Sequence, residues 1–143
     1  MTIPIWMLLG FAAWTVVLLL FTVGIYRWSR ILTGQVPIRG FPADNVEGEE
    51  WYRRAMRAHA NCIENLPVFG AIVFALFVSG ASGPIVNYLS ISVLVARIMQ
   101  SLIHVCLVQT NTVAALRFAF FFIQIVSFLT LIVMIVRFAG PAS

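Results

Sequence analysis

Three sets of polar residues interrupt an otherwise apolar chain, and their spacing is helical. Arg57, Asn61 and Glu64 stand at i, i+4 and i+7; Arg97, Gln100 and His104 stand at i, i+3 and i+7; Arg117 and Gln124 are seven apart. On an α-helix each set lies along one face. Three arginines set against one carboxylate, withdrawn from water, leave two positive charges without a counter-ion. Such a site selects an anionic ligand, because guanidinium groups bind carboxylates and similar anions through strong charge-assisted hydrogen bonds.

The elements that carry these stripes are read from composition. The chain has 143 residues, 62% of them hydrophobic and only 10% charged, with a mean hydropathy of +1.00. A soluble domain needs roughly 25% charged residues to cover its surface, so this composition specifies an integral membrane protein. The formal net charge of +4 does not point to nucleic acid, since the arginines are scattered among apolar spans and build no basic surface. Cys62 and Cys106 come with neither a CxxC nor an HxxxH spacing, which argues against a disulfide framework or a metal site.

Crossing the hydrocarbon core takes about 20 apolar residues. Four stretches meet that requirement, at approximately 4–27, 58–78, 85–107 and 113–136. The first has no basic start and too long an apolar core for a cleavable signal peptide. Short second and third connections make the expected fold an all-α, antiparallel four-helix bundle, forming a single domain over 1–143. The one long connection, 30–57, carries Gly34, Pro37, Gly40 and Pro42 with four acids and five arginines. Its arginines place it on the cytoplasmic side, with both termini on the opposite side. Pro67 removes the helical bond to the Ile63 carbonyl, so a kink is expected there.

An ionisable side chain inside a membrane helix costs at least about 2.5 kcal/mol and is usually paired, cavity-facing and functional. Arg57, Glu64, Arg97 and Arg117 are the four cases. Counted from the helix ends nearest the long loop, Arg117, His104 and Asn61 lie about one turn inside, and Glu64 and Arg97 about two to three turns. The stripes are therefore expected to meet in one pocket. Simpler roles exist for single residues. Glu64 and Arg97 could form a structural ion pair, and His104 could join helices by a hydrogen bond. His59 reads as a packing or interfacial residue, not a metal ligand. Arg53, Arg54 and Arg137 read as headgroup anchors, and Phe118, Phe120, Phe121 and Phe122 as a lipid-facing and packing cluster. These roles account for individual residues, but not for three stripes at matching depth.

The segment Arg57-Ala58-His59-Ala60-Asn61-Cys62-Ile63-Glu64-Asn65-Leu66-Pro67 resembles the signature of the MAPEG family, the membrane-associated proteins of eicosanoid and glutathione metabolism. It matches the R-A-x-x-N-x-x-E pattern at every fixed position, and Pro67 and Phe69 are also family-like. Leu32-Thr33-Gly34-Gln35-Val36 resembles the prostaglandin E synthase branch, and Asn61-Cys62 resembles leukotriene C synthase. Four spans, total length and one long loop agree across the whole chain, and the resemblance is to a bacterial-type member related to microsomal glutathione transferase.

The resemblance implies a homotrimer, embedded in membrane lipid, with glutathione as co-substrate bound between subunits near the cytoplasmic face. In a bacterium this would be the inner membrane. Arg57 would bind a glutathione carboxylate, Asn61 its backbone and Glu64 its amino group. His59, Arg97, Gln100 and His104 join the candidate glutathione-binding set, and Arg117 would be the catalytic residue that stabilises the thiolate. A free thiol, with a pKa near 8.5, is mostly protonated at neutral pH. A guanidinium in a poorly hydrated pocket shifts it toward the nucleophilic thiolate. The expected activity is glutathione-dependent transfer to, or reduction of, a lipophilic electrophile arriving through the lipid. Relatives carry tyrosines where this chain has Gln100, His104 and Asn65, and the prostaglandin E synthase branch has a serine where this chain has Phe118. The alternative is therefore a catalytically silent relative that binds a lipid or a partner. A channel or transporter fits least, because no pair of broken helices provides a mid-membrane site.

Overall fold

The computed structural model describes residues 1–40 and 49–140. Among these the fold consists of four long helices with no strand: α1 (Ile3–Leu32), α2 (Glu50–Ser79), α3 (Pro84–Cys106) and α4 (Asn111–Ala139). All four are long and apolar enough to cross a membrane. Asp44 and Glu47 of the long connection lie outside the described residues.

The starts and stops follow local chemistry. Pro84 occupies the first turn of α3, where a missing N–H removes no helical bond. The Thr110 side chain accepts a hydrogen bond from the Val113 amide at 3.2 Å and caps α4. Gly80 ends α2 with φ +72°, a left-handed conformation that glycine adopts without the steric penalty of a Cβ. Thr110→Ala should lower the unfolding free energy by about 1 kcal/mol through the lost cap; denaturant titration in mixed micelles measures it.

Two features depart from the reading of the sequence. α2 begins at Glu50, about two turns before the apolar stretch that starts near residue 58. The long connection is correspondingly shorter than 30–57, and Arg53, Arg54 and Arg57 are helical. The reason is amphipathicity: Tyr52 and Ala55 are buried while Arg53 and Arg57 are exposed, so averaged hydropathy passes over these turns. The second feature is a six-residue π-helical segment, Leu19–Gly24, within α1, where the Thr22 hydroxyl donates to the Leu18 carbonyl. Apolar periodicity carries no signal for such a widening. α2 passes through Pro67 as one uninterrupted helix.

α3 packs against each of the other three helices, most extensively against α4. An apolar core holds Phe11, Phe69 and Phe128, with ring centroids 5.9 Å apart for Phe11–Phe69 and 6.0 Å for Phe69–Phe128. A smaller cluster at the end nearest the long connection contains Val23, Tyr26, Tyr52 and Ala55. Buried hydroxyls find partners inside their own helices: Thr15 bonds to the Phe11 carbonyl, Ser90 to Val86, Ser101 to Arg97 and Ser127 to Ile123, at 2.8–2.9 Å. That is the cheapest solution where no water reaches. The outer surface is apolar, with Phe21, Phe74 and Phe118 each about 70% exposed, as a lipid-facing surface requires.

Candidate functional site

Between α2, α3 and α4 lies a cavity of about 250 Å³, lined by Asn61, Gln100, His104, Ala114, Arg117, Phe118 and Phe121. The hairpin of α3 and α4 sets its depth. Gln100 stands six residues before the end of α3 and Arg117 six residues after the start of α4, so each lies about 9 Å along its helix from the shared turn. Asn61 adds a carboxamide from α2. Phe118 and Phe121 are exposed on the outer surface, so one wall of the cavity is apolar and continuous with the lipid-facing side.

Arg117 is the charged group of this wall. Its Nε is buried without a hydrogen-bond partner. Among the described residues the ion pairs are Arg30–Glu49 at 2.9 Å and Arg54–Glu50 at 3.3 Å, so no carboxylate neutralises Arg117. Arg54, Arg57 and Arg97 also lie within Coulombic range of the neighbouring His104. The cavity thus combines a cation with no ion-paired carboxylate, further arginines within Coulombic range and neutral polar groups able to donate hydrogen bonds. Chemically it can hold an anion and keep it unprotonated.

The structure brings together four of the eight residues singled out from the sequence: Asn61, Gln100, His104 and Arg117. The other four are elsewhere. Arg57 and Glu64 are exposed on the outer surface of α2. Glu64 stands about 60° around the helix from Asn61 and does not line the cavity, though it lies within Coulombic range of Arg97 on α3. His59, two residues from Asn61, faces the opposite side of α2 and is half-buried within range of Arg27.

Arg97 is 1% exposed and points inward, its guanidinium carbon 5.6 Å from the Phe11 ring centroid. Its Nε and Nη2 have no hydrogen-bond partner. Beside it the Cys62 thiol lies 3.5 Å from the Ser101 hydroxyl. Within one chain the three arginines are placed apart: Arg117 lines the cavity, Arg97 sits in the core and Arg57 faces outward. Glu64 and Arg97 form no ion pair among the described residues, but Glu64 lies within Coulombic range of Arg97.

Two residues gained roles that the sequence did not give them. Arg54, read as a headgroup anchor, reaches the Val105 carbonyl with Nε and Nη2, both at 3.4 Å. It thereby ties α2 to the C-terminal end of α3, where carbonyls lack helical partners. Gln124 is fully buried and donates to Gln100 at 2.9 Å. Its place on the Arg117 stripe was the available signal.

Comparison with known families matches the MAPEG family over residues 4–137. Comparisons with curated proteins and with solved structures returned no match. With the family pattern matched from residue 4 to residue 137, nearly the whole described bundle, the chain belongs to the MAPEG family.

Proposed function

We propose that this integral membrane protein is a glutathione-dependent transferase or peroxidase acting on lipophilic electrophiles. The family includes such enzymes as well as non-catalytic members. One observation carries the catalytic reading: the Arg117 guanidinium lines a cavity, and no carboxylate among the described residues pairs with it. In this reading the glutathione thiolate is the missing anion, held beside Arg117 with Asn61, Gln100 and His104 around it. The thiolate attacks an electrophilic carbon and displaces its leaving group, such as halide. Alternatively it attacks a hydroperoxide oxygen, breaking the O–O bond to leave an alcohol and a glutathione sulfenic acid, which a second glutathione converts to disulfide and water. The apolar Phe118–Phe121 wall admits that partner from the lipid.

Arg57 and Glu64 belong to the same site through assembly. A carboxylate exposed on the outer face of a membrane helix is too costly to leave in lipid, which supports a homotrimer with Glu64 covered between subunits. There Arg57 meets a glutathione carboxylate and Glu64 its ammonium. Arg97 and His59, off the cavity wall, have no ligand contact in this reading. The long-connection side faces the cytoplasm, and for a bacterial member the membrane is the inner one.

Turnover of glutathione with an apolar aryl halide or hydroperoxide by the purified protein tests the activity; no turnover with either class would refute it. Glu64→Gln should weaken glutathione binding by roughly 30-fold or more, as expected when one partner of a desolvated charge pair is removed. Equilibrium dialysis reads this directly. Gln100 and His104, in place of tyrosines, favour a second reading as a silent lipid-binding or partner-binding relative. A purified assembly that ignores glutathione but retains a specific lipid would support that reading.

A further inference from the structure

The hydrogen bond between Gln100 and Gln124 decides which end of an amide faces the cavity. Gln124 is 0% exposed and does not line the cavity, whereas Gln100 is 8% exposed and does. Gln124 Nε2 donates to the Phe120 carbonyl at 3.2 Å and to Gln100 Oε1 at 2.9 Å. A backbone carbonyl can only accept, so Phe120 fixes the orientation of the Gln124 amide. Turning that amide over would set two carbonyl oxygens 3.2 Å apart and bury an NH2 where Oε1 now has no partner. An unpartnered buried carbonyl is tolerated better than an unpartnered buried N–H.

With both Gln124 hydrogens committed, Gln100 has to present its oxygen to α4. Its Nε2 is then turned toward the cavity, and it makes no hydrogen bond among the described residues. We infer that Gln124 is a positioning residue, which holds Gln100 Nε2 as a hydrogen-bond donor toward the ligand of the cavity. The ligand atom met there is an acceptor, and in the function proposed above it belongs to the bound glutathione anion. A carboxamide donates this hydrogen bond without releasing a proton, so it stabilises the anion and does not quench it. The identity of the ligand rests on that proposal; the amide orientation does not.

Two measurements on the detergent-solubilised protein test this separately. In 15N-glutamine-labelled protein without ligand, the Gln124 side-chain hydrogens should exchange slowly with water and those of Gln100 rapidly. Gln100→Leu assigns the Gln100 signal, and the exposed Gln35 and Gln109 serve as fast-exchanging references. Slow exchange at Gln100, or fast exchange at Gln124, overturns the orientation.

The second measurement follows thiolate absorbance of bound glutathione at pH 7. Gln100→Leu should lower it about tenfold, the usual scale for losing a hydrogen bond to a charged group. Gln124→Leu should lower it by a similar factor, and the double variant no further. Gln124→Met checks the same point with a different packing. An unchanged signal in the Gln124 variants, or an additional fall in the double variant, overturns the positioning role. Absence of thiolate in the unmodified protein refutes the proposed function instead, and the exchange measurement then decides the orientation by itself.

Discussion

With Arg117 replaced by alanine, glutathione still binds but remains a thiol. The guanidinium lines the cavity with no ion-paired carboxylate among the described residues, and an opposite charge close to a bound thiol favours the ionised form by about one to three pKa units. Losing it should lower the thiol's ionisation constant by about 10- to 1000-fold, each unit corresponding to about 1.4 kcal/mol, and so cut the thiolate fraction at neutral pH by up to about 30-fold, the limit set by a free thiol of pKa near 8.5. The sign follows directly. Removing a positive charge raises the thiol pKa, so the variant regains thiolate only as the pH is raised toward the free-thiol value near 8.5 and beyond. Turnover should fall in parallel, with glutathione affinity changing much less because Asn61, Arg57 and Glu64 remain. A pH titration of thiolate absorbance in the variant checks this. Unaltered turnover would remove Arg117 from the chemistry.

Arg97→Met should make the bundle more stable. Arg97 is 1% exposed, pairs with no carboxylate, and leaves Nε and Nη2 without acceptors. Its compensation is the Phe11 ring face at 5.6 Å, the Cys62 sulfur beside it and the Glu64 charge within Coulombic range but not in ion-pair contact; a cation–π contact offsets only about 2 kcal/mol when desolvated. Replacing buried ion pairs by apolar side chains is often neutral or stabilising by about 1–4 kcal/mol. Arg97, with no carboxylate in contact, lacks the close attraction that opposes that gain. Methionine suits this position because it is flexible and packs well against aromatic rings. Denaturant unfolding in micelles measures the gain, and glutathione should still bind. Loss of glutathione binding in a stably folded variant would return Arg97 to the binding site.

These two arginines show what the sequence made legible and what it concealed. Both stand on polar stripes of membrane helices, Arg97 the deeper of the two, and helical spacing identified both as exceptional. Spacing gives the face of a helix but not the direction of a long flexible side chain. Arg117 lines the cavity, whereas Arg97 leaves its stripe and lies against Phe11 on α1. Gln100, His104 and Asn61 are shorter, and their positions followed from helix phase alone.

The same reasoning explains the other differences. The four-helix architecture was legible because uninterrupted apolar length is a strong signal in a membrane. The start of α2 was not, since its first turns bury Tyr52 and Ala55 while exposing arginines. The π-helical widening at Leu19–Gly24 leaves the apolar pattern of α1 unchanged. Arg54 looked like an anchor because its partner, the Val105 carbonyl, belongs to the backbone of another helix. Glu64 and Arg57 were legible as a pair on one face. That this face points out of the single bundle emerged only once α2 was packed against α3 and α4.

An ultraviolet difference spectrum of the detergent-purified protein titrated with glutathione at neutral pH addresses the central claim most directly. A saturable thiolate band that is lost in Arg117→Ala is the expected result. A flat spectrum at high glutathione would contradict it: the cavity would then not ionise the thiol, and the silent binding reading would take its place.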